Sequence, residues 1–328
     1  MSRQISFREA VIEAMAQEMR RDENVILIGE DVGPSGGIFK CSEGLFNEFG
    51  GSRVIDAPIS EAGYMGVSVG AAMTGLRPIA ELMFGDFSLL TMDQLVNQAA
   101  KIRYMTGGQC KVSLTVRLTM GAGRSSAAQH SQSLHALFAH IPGLKVALPS
   151  CPHDAKGLLK AAIRDENPVF FCEHKMLYKR KGPVPDGEHI VPFGVAAVKR
   201  EGTDITLIGV GYQVQICLEA AELLAAEGIS AEVVDPRTVA PLDTATLAES
   251  VRKTNRCVVV EEGHLRSGVG AEISAVLQEE AFDYLDAPVG RVAALNAPIP
   301  FEPALEDYVL PNAGNVVEAA KKALGVIA

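Results

Sequence analysis

The stretch VIDAPISEAGYMGVSVGAAMTGL, residues 54–76, decides the fold of this part of the chain. β-branched residues open it, and Pro58 requires extended backbone before it, so a strand should end near Asp56. Ser60 then stands where a helix N-cap belongs, and Glu61 falls in the first turn. Small residues fill the helix behind it, with glycines at positions 63, 66, 70 and 75. The stretch therefore predicts a strand, a loop and a helix that another backbone approaches closely.

Glu61 has two interpretations at this level. A carboxylate in the first helical turn complements the helix dipole, which is worth roughly 0.3–1 kcal/mol. The other interpretation is a functional carboxylate. The residues around Glu61 leave both interpretations open.

Strand and helix alternate along the rest of the chain, which predicts an α/β fold with mostly parallel sheets. The all-apolar run at 25–28, VILI, is typical of a strand buried on both faces. The segment KRKGPVPDGEHIVPFG that follows Tyr178 is rich in Pro, Gly and charge, and it predicts a linker. We therefore expect one domain at 1–178, a linker at 179–196 and a second α/β domain at 197–328.

Composition excludes several classes of protein. The net charge of −10 over 328 residues argues against a nucleic-acid groove, which needs a basic stripe. The six cysteines include no C-x-x-C pair, so reduced thiols are expected rather than a disulfide framework or a zinc site. No apolar run reaches the roughly 20 residues of a membrane helix. The polar N-terminus, MSRQISFREA, lacks a signal peptide's apolar core, so we expect a cytoplasmic protein without membrane partners.

Two familiar motifs fail on inspection. The sequence Gly209-Val-Gly211 follows a strand, but Val214 occupies the third glycine position of a dinucleotide-binding fingerprint. His130, His135 and His140 are five residues apart and cannot share a helix face, so zinc ligation is not expected. His130 remains of interest because it lies in a polar loop. A solvated histidine and a functional one are both compatible with that position.

Eight motifs in order along the chain carry a family resemblance: GEDVG at 29–33, DAPISEAG at 56–63, AAQHSQSL at 127–134, HIPGLKV at 140–146, AIRDENPV at 162–169, EHKMLY at 173–178, DPRTVAPLD at 235–243 and LPNAGNVVEA at 310–319. With them the chain resembles the β subunit of the thiamine diphosphate-dependent dehydrogenase component of 2-oxo acid and acetoin dehydrogenase complexes. The resemblance implies a transketolase-like pyrimidine-binding domain followed by a transketolase C-terminal-like domain.

The resemblance also implies roles for four residues. Glu61 matches the glutamate that hydrogen-bonds the aminopyrimidine of thiamine diphosphate, and we expect it to be buried. His130 matches the active-site histidine that supports the intermediate and its transfer to a lipoyl group. Phe87, or Phe84 beside it, matches the aromatic position near the pyrimidine. These matches make Glu61 and His130 the candidate catalytic residues.

The cofactor should be shared with a second chain. A self-sufficient thiamine enzyme has a Gly-Asp-Gly…Asn-Asn segment for Mg²⁺ and the diphosphate, whereas this chain has Gly85-Asp86-Phe87 without a suitable Asn-Asn. We therefore expect Mg²⁺ to be held by an α subunit in an α₂β₂ heterotetramer, which the resemblance also implies. The second domain would serve assembly, and its acidic surface could meet the lipoyl acyltransferase core.

A monovalent cation, K⁺, is the last ligand that the resemblance implies. Its family ligands are main-chain oxygens, which match Leu114, Ala162, Ile163, Asp165 and Asn167.

Members of this family differ in the substrate that they cleave. RYMTGGQ at 103–109 and the segment at 119–132 resemble acetoin-cleaving members, whereas VGAEI at 269–273 and LDAPVGRV at 285–292 resemble pyruvate members. We favour acetoin, with pyruvate or a branched-chain 2-oxo acid as the alternative. A non-catalytic α/β scaffold protein is the alternative from another class.

Overall fold

The computed structural model describes residues 2–326. The chain divides into two compact units, the first built from residues 2–120 and 137–193, and the second from residues 121–136 and 194–326. This division differs from the domain limits that composition suggested. The segment 121–136 belongs to the second unit, and the expected linker contributes a strand to the first.

The first unit contains strands β1 to β8 and most of helices α1 to α6. Its strands are β1 (Ser2–Ser6), β2 (Val25–Gly29), β3 (Val54–Asp56), β4 (Arg77–Leu82), β5 (Thr115–Met120), β6 (Lys145–Ala147), β7 (Val169–His174) and β8 (Lys181–Pro185). Its helices are α1 (Phe7–Arg21), α2 (Leu45–Phe49), α3 (Glu61–Met73), α4 (Ala100–Met105), α5 (His135–Ala139), which begins in the second unit, and α6 (Pro152–Arg164).

Six strands of the first unit form a parallel sheet in the order β6-β7-β5-β4-β2-β3. Its central strands are buried along their whole length, as expected for a sheet covered on both faces. β1 and β8 form a separate antiparallel pair. Because of that pairing, part of the expected linker is a strand. Gly182 and Val184 of β8 are buried, whereas Lys181 and Pro183 are exposed, which is the alternation of a strand with one covered face.

The second unit contains β9 (Ala197–Arg200), β10 (Ile205–Gly209), β11 (Ala231–Asp235), β12 (Thr238–Ala240), β13 (Cys257–His264) and β14 (Gly290–Ala294). Its helices are α7 (Gln213–Ala226), α8 (Thr244–Thr254), α9 (Val269–Ala281), α10 (Pro303–Val309) and α11 (Ala313–Ala323). Its sheet has the order β14-β13-β10-β11-β9, parallel except for the edge strand β9. α7 and α11 pack together over apolar side chains of β10, β11 and β13.

Two elements differ from their sequence pattern. The spacing of Leu95, Ala99 and Ile102 predicts an α-helix over 91–104, but the structure has a π-helix at Asp93–Ala99 that continues as α4. π-helical turns are rare and are frequent at functional sites. The stretch at 112–118 predicts a strand over its whole length, but β5 begins at Thr115, and residues 112–114 form the loop that enters it. Among residues 2–326, no helix combines the length and the apolar character needed to cross a membrane.

Candidate active site

The carboxyl ends of β3, β2 and β4 bring the predicted site residues of the first unit to one edge of its sheet. β2 lies between β3 and β4, and the chain leaves it toward β3 before returning to β4 on the other side. Ligands of open parallel sheets bind at such a reversal of strand order. Glu30 follows β2, Glu61 follows β3, and Phe84 follows β4.

Glu61 is the first residue of α3 and is 8% exposed. Ser60 occupies the N-cap position as predicted, but its side chain makes no capping hydrogen bond, and its φ of −162° and ψ of 78° differ from usual cap geometry. The predicted position of the N-cap is therefore correct, but the side-chain hydrogen bond that a Ser N-cap usually accepts is absent. Tyr64, one turn on, donates a hydrogen bond of 3.2 Å to the Glu81 carbonyl and ties α3 to β4.

Glu30 is a site residue that sequence reasoning missed. Its side chain is buried, and its Oε1 atom has no hydrogen-bond partner within residues 2–326. Burial raises the pKa of Glu30, and the nearby carboxylates of Glu61 and Asp31 raise it further. Burial, Glu30 and Glu61 likewise raise the pKa of Tyr64. The edge thus gathers acidic groups that repel one another, which is typical of functional sites.

Phe84 and Phe87 belong to one aromatic cluster. Their ring centroids lie 5.8 Å apart in an edge-to-face arrangement, and Phe39 contacts Phe84 at 5.6 Å. The buried Lys175 places its Nζ atom 5.4 Å from the centroid of the Phe84 ring. Both predicted aromatic residues therefore lie in the same place, and the choice between them as the pyrimidine contact stays a prediction.

A buried ionic network supports this cluster from within the sheet. The Arg117 guanidinium donates to the Glu173 carboxylate at 2.6 and 2.9 Å, and also to Glu81. Tyr178 donates to Glu173 at 3.0 Å, and its ring centroid lies 5.4 Å from that of Phe39 in a tilted arrangement. Fully satisfied buried networks of this kind fix the positions of their members.

The five residues of the predicted cation site lie together around the C-terminal end of α6. The Arg77 guanidinium donates to two of their carbonyls, those of Ile163 at 3.0 Å and Asp165 at 3.2 Å. The Leu114 carbonyl accepts from Val169 N at 2.9 Å. Each carbonyl oxygen has two lone pairs, so a carbonyl that accepts one hydrogen bond can still bind a cation. The cation site therefore stays a prediction. The described residues contain no cluster of three His, Cys, Asp or Glu side chains suited to a metal.

His130 lies in the second unit, on a segment that we call the histidine loop, residues 121–134. Glu61 and His130 therefore belong to different units. Two carboxylates of the second unit bind the loop. Glu306 accepts from Gly123 N and Ser125 N, both at 2.9 Å, and Glu262 accepts from Ala122 N at 2.8 Å and Ser133 Oγ at 3.0 Å. Hydrogen bonds to charged groups contribute about 1.5–3 kcal/mol each.

Family models match both halves of the chain. Residues 3–181 match the transketolase pyrimidine-binding domain, and residues 194–316 match the transketolase C-terminal domain. The chain belongs to the transketolase-like β subunits of acetoin and pyruvate dehydrogenases. This family depends on thiamine diphosphate, and the two-unit α/β fold agrees with its transketolase-like architecture.

Full-length relatives support that assignment. The chain is 51% identical to the β subunit of acetoin:2,6-dichlorophenolindophenol oxidoreductase of Bacillus subtilis, over 99% of this chain and 98% of the relative. The corresponding subunit from Cupriavidus necator is 48% identical over 99% and 98%. The β subunit of the pyruvate dehydrogenase E1 component of Rickettsia felis is 48% identical over 97% and 98%.

A solved structure gives the same fold. A split-gene transketolase, described as an inactive β4 tetramer, superimposes with a TM-score of 0.79 at 27% identity, over 98% of each chain.

The first unit's edge suits the pyrimidine half of thiamine diphosphate. It offers the buried carboxylate Glu61, an aromatic cluster, and a buried Glu30 oxygen without a partner among the described residues. The segment Gly85–Thr91, which begins with Gly-Asp-Phe rather than Gly-Asp-Gly, forms a short 3₁₀ helix after β4. Glu61, Glu30 and the aromatic cluster therefore fit the pyrimidine of the cofactor.

Proposed function

We propose that this chain is the β subunit of a thiamine diphosphate-dependent dehydrogenase component that cleaves acetoin and passes the two-carbon acyl unit to a lipoyl acyltransferase. The observation that carries the proposal is the position of Glu61: a buried carboxylate that opens a helix at the sheet's reversal of strand order, with Glu30 nearby. Thiamine diphosphate, held in part by these residues, would supply a nucleophilic carbon for the substrate carbonyl.

Glu61 would hold and return a proton at N1′ of the aminopyrimidine. A carboxyl group can do this because it donates a hydrogen bond when protonated and accepts one when ionised. Burial keeps water from competing for that proton, and general acid–base catalysis of this kind contributes about 10²- to 10⁴-fold in rate. Phe84 and Phe87 would provide the apolar wall against which the pyrimidine packs.

His130 would support transfer of the acyl unit to the lipoyl group. An imidazole suits this step because one ring nitrogen can donate a proton while the other accepts one. Its place on a loop agrees with the tendency of α/β proteins to carry reacting groups on loops held by a rigid scaffold.

We propose that the enzyme is active only with an α subunit, in an α₂β₂ heterotetramer whose α subunit holds Mg²⁺. The exposed face of α3 supports a partner chain. A Cβ atom added at Gly70 would meet nothing within 4 Å in the described chain, and one added at Gly66 would meet only Gln94 at 3.7 Å. Val67, between them, is 62% exposed. The close backbone approach expected from these glycines is absent within residues 2–326, so a second chain is the proposed neighbour.

Calorimetry tests the shared cofactor. The isolated chain should show no tight, Mg²⁺-dependent binding of thiamine diphosphate, whereas the chain assembled with its α subunit should bind it. Tight binding by the isolated chain would contradict the proposal.

The acetoin assignment rests on the motifs near the histidine loop and on the names of relatives at 51% and 48% identity. Pyruvate is the second candidate, because a pyruvate dehydrogenase β subunit is also 48% identical. A carboxylate substrate favours a cation in its pocket, but Arg124, the arginine of the histidine loop, is exposed. Assembled α and β chains should therefore give a higher kcat/KM with acetoin than with pyruvate when an artificial electron acceptor is supplied. A higher value with pyruvate would favour the second candidate.

Three further parts of the proposal await direct tests. The carbonyls around Asp165 would bind K⁺, so replacing K⁺ with a larger organic cation should lower activity. The acidic second unit would contact the acyltransferase core. The chain would work in the cytoplasm, where cysteines spaced without a C-x-x-C pair stay reduced.

A further inference from the structure

The backbone of the histidine loop adopts conformations that its residues disfavour. Ser125 has a φ of 50° and Ala127 a φ of 60°, both in the left-handed region that L-residues with a Cβ atom rarely adopt. Gly121 and Gly123 have φ values of 93° and 92° and accommodate the same region at no steric cost. Strained residues persist only where their surroundings hold them. The loop must therefore be held from outside.

Glu306 binds the strained part of the loop. Its Oε1 atom accepts from Gly123 N and its Oε2 atom from Ser125 N, so a single carboxylate spans Arg124. Glu306 is 3% exposed, which protects both hydrogen bonds from water. Its helix, α10, is itself fixed, because the Glu302 side chain accepts from Leu305 N at 3.0 Å and caps the N-terminus.

Glu262 closes the loop at its two ends. The Oε1 atom of this carboxylate accepts from Ala122 N and from Ser133 Oγ, which stand on either side of His130 in the sequence. Glu262 lies in β13, and it is buried. The two carboxylates together bind four donors of a segment of fourteen residues, and three of those donors are backbone amides.

We propose that Glu306 and Glu262 are positioning residues that hold the histidine loop in the strained conformation from which His130 acts. The role of His130 rests on the proposed function, whereas the hold on the loop rests on geometry alone. Neither carboxylate needs to touch substrate or cofactor for this role. The second unit would then take part in catalysis through the backbone of the loop, in addition to its role in assembly.

Hydrogen exchange in the assembled enzyme tests the hold on the loop. Glu306→Gln removes the charge and turns part of the acceptor into a donor, so the amides of Gly123 and Ser125 should exchange about tenfold faster or more. Asp307→Asn is the matched control, because Asp307 is the exposed neighbour on the same helix, and it should leave those rates unchanged. Equal exchange in the wild type and Glu306→Gln would overturn the proposal.

Kinetics test the link to His130. Glu306→Gln should lower acyl transfer to a free lipoyl domain about tenfold while the KM for the acyl donor stays within about twofold. The double variant Glu306→Gln/His130→Ala should be no slower than His130→Ala alone, because residues that act through one group are not additive. Losses that multiply in the double variant, or a change confined to KM, would overturn the positioning role.

Two outcomes separate the possible failures. If the wild-type assembly turns over neither acetoin nor pyruvate, the proposed function is wrong, and the exchange measurement still decides whether Glu306 holds the loop. If Glu306→Gln does not fold, Glu306→Asp carries the same exchange and kinetic tests, because it keeps the charge and shortens the reach by one methylene.

Discussion

The two units place acidic residues at the same point of the same architecture and use them in opposite ways. Each has a parallel sheet with a reversal of strand order, and each has carboxylates at the carboxyl edge. In the first unit, the buried Glu30 has an oxygen without a partner in the described chain. In the second, Glu261 accepts from Val269 N at 3.0 Å and Gly270 N at 2.7 Å at the start of α9. We propose that the first edge receives a ligand, whereas the second is closed by its own backbone.

The closure of the second edge is complete in steric terms as well. A Cβ atom added at Gly268 would lie 2.3 Å from the Glu261 carboxylate, and one added at Gly270 would lie 2.8 Å from it. His135, from the segment that joins this unit, lies 3.6 Å from the same carboxylate. Glycines and the chain itself therefore fill the place that a ligand takes in related sheets.

The largest expected effect is at the open edge. Glu61→Gln should lower kcat of the assembled enzyme by at least about 10²-fold, because the amide keeps the shape of the side chain but cannot exchange the proton. Assembly with the α subunit, as measured by size-exclusion chromatography, should be unchanged. Near-normal turnover would return Glu61 to the role of a residue that only complements the helix dipole.

His130→Ala should give the next largest effect. Acyl transfer to the lipoyl domain should fall by about 10- to 10²-fold, since the imidazole is lost from a general acid–base step. Binding of thiamine diphosphate to the assembled enzyme should change much less, and circular dichroism should show an intact fold. Unfolding of the variant would count against this prediction, as would unchanged transfer.

A substitution at the second unit's edge should lower stability rather than activity. Glu261→Gln should lower the free energy of unfolding by about 2 kcal/mol, because a buried carboxylate that accepts two backbone hydrogen bonds at a helix N-terminus is replaced by an amide. Urea unfolding of the chain measures this. Glu279→Gln, which changes an exposed residue of α9, should have no comparable effect.

Glu30→Gln should change stability in the other direction and raise the free energy of unfolding at pH 7. Because the folded-state pKa of Glu30 is raised, the unfolded chain ionises first as the pH rises. The wild type therefore has its full stability below the ordinary carboxyl pKa of 4.5 and loses some as the pH rises through the raised value. The gain from Glu30→Gln should disappear below about pH 4. A loss of stability at pH 7 would show that Glu30 has a structural role, like Glu261.

The local pattern around Glu61 was enough to predict its surroundings. A proline fixed the end of β3, and the helix start and the parallel sheet followed from adjacent residues, whereas the burial of Glu61 followed from the family resemblance. The family and its transketolase-like fold also followed from motifs in the sequence. The signal for Glu30 was present as well, because an acidic residue at the end of a buried strand lies at the same edge.

Other features depend on residues far apart in the chain. The histidine loop joins the second unit through Glu262 and Glu306, and its contact with Glu306 spans more than 180 positions. No local pattern reports such a contact. The segment after Tyr178 has the composition of a linker, yet β8 pairs with β1 at the opposite end of the first unit's sequence. Composition describes the local chain, whereas pairing depends on the partner strand.

The rate at which the thiazolium C2 proton of thiamine diphosphate exchanges in the assembled enzyme tests the role of Glu61 most directly. The reaction is quenched in acid, and NMR measures the exchanged fraction. The account predicts that Glu61→Gln slows this exchange by about 10²-fold or more relative to the wild type, while Glu261→Gln leaves its rate unchanged once the protein is folded. Equal exchange rates in the wild type and Glu61→Gln would contradict the claim that the first unit's edge activates the cofactor.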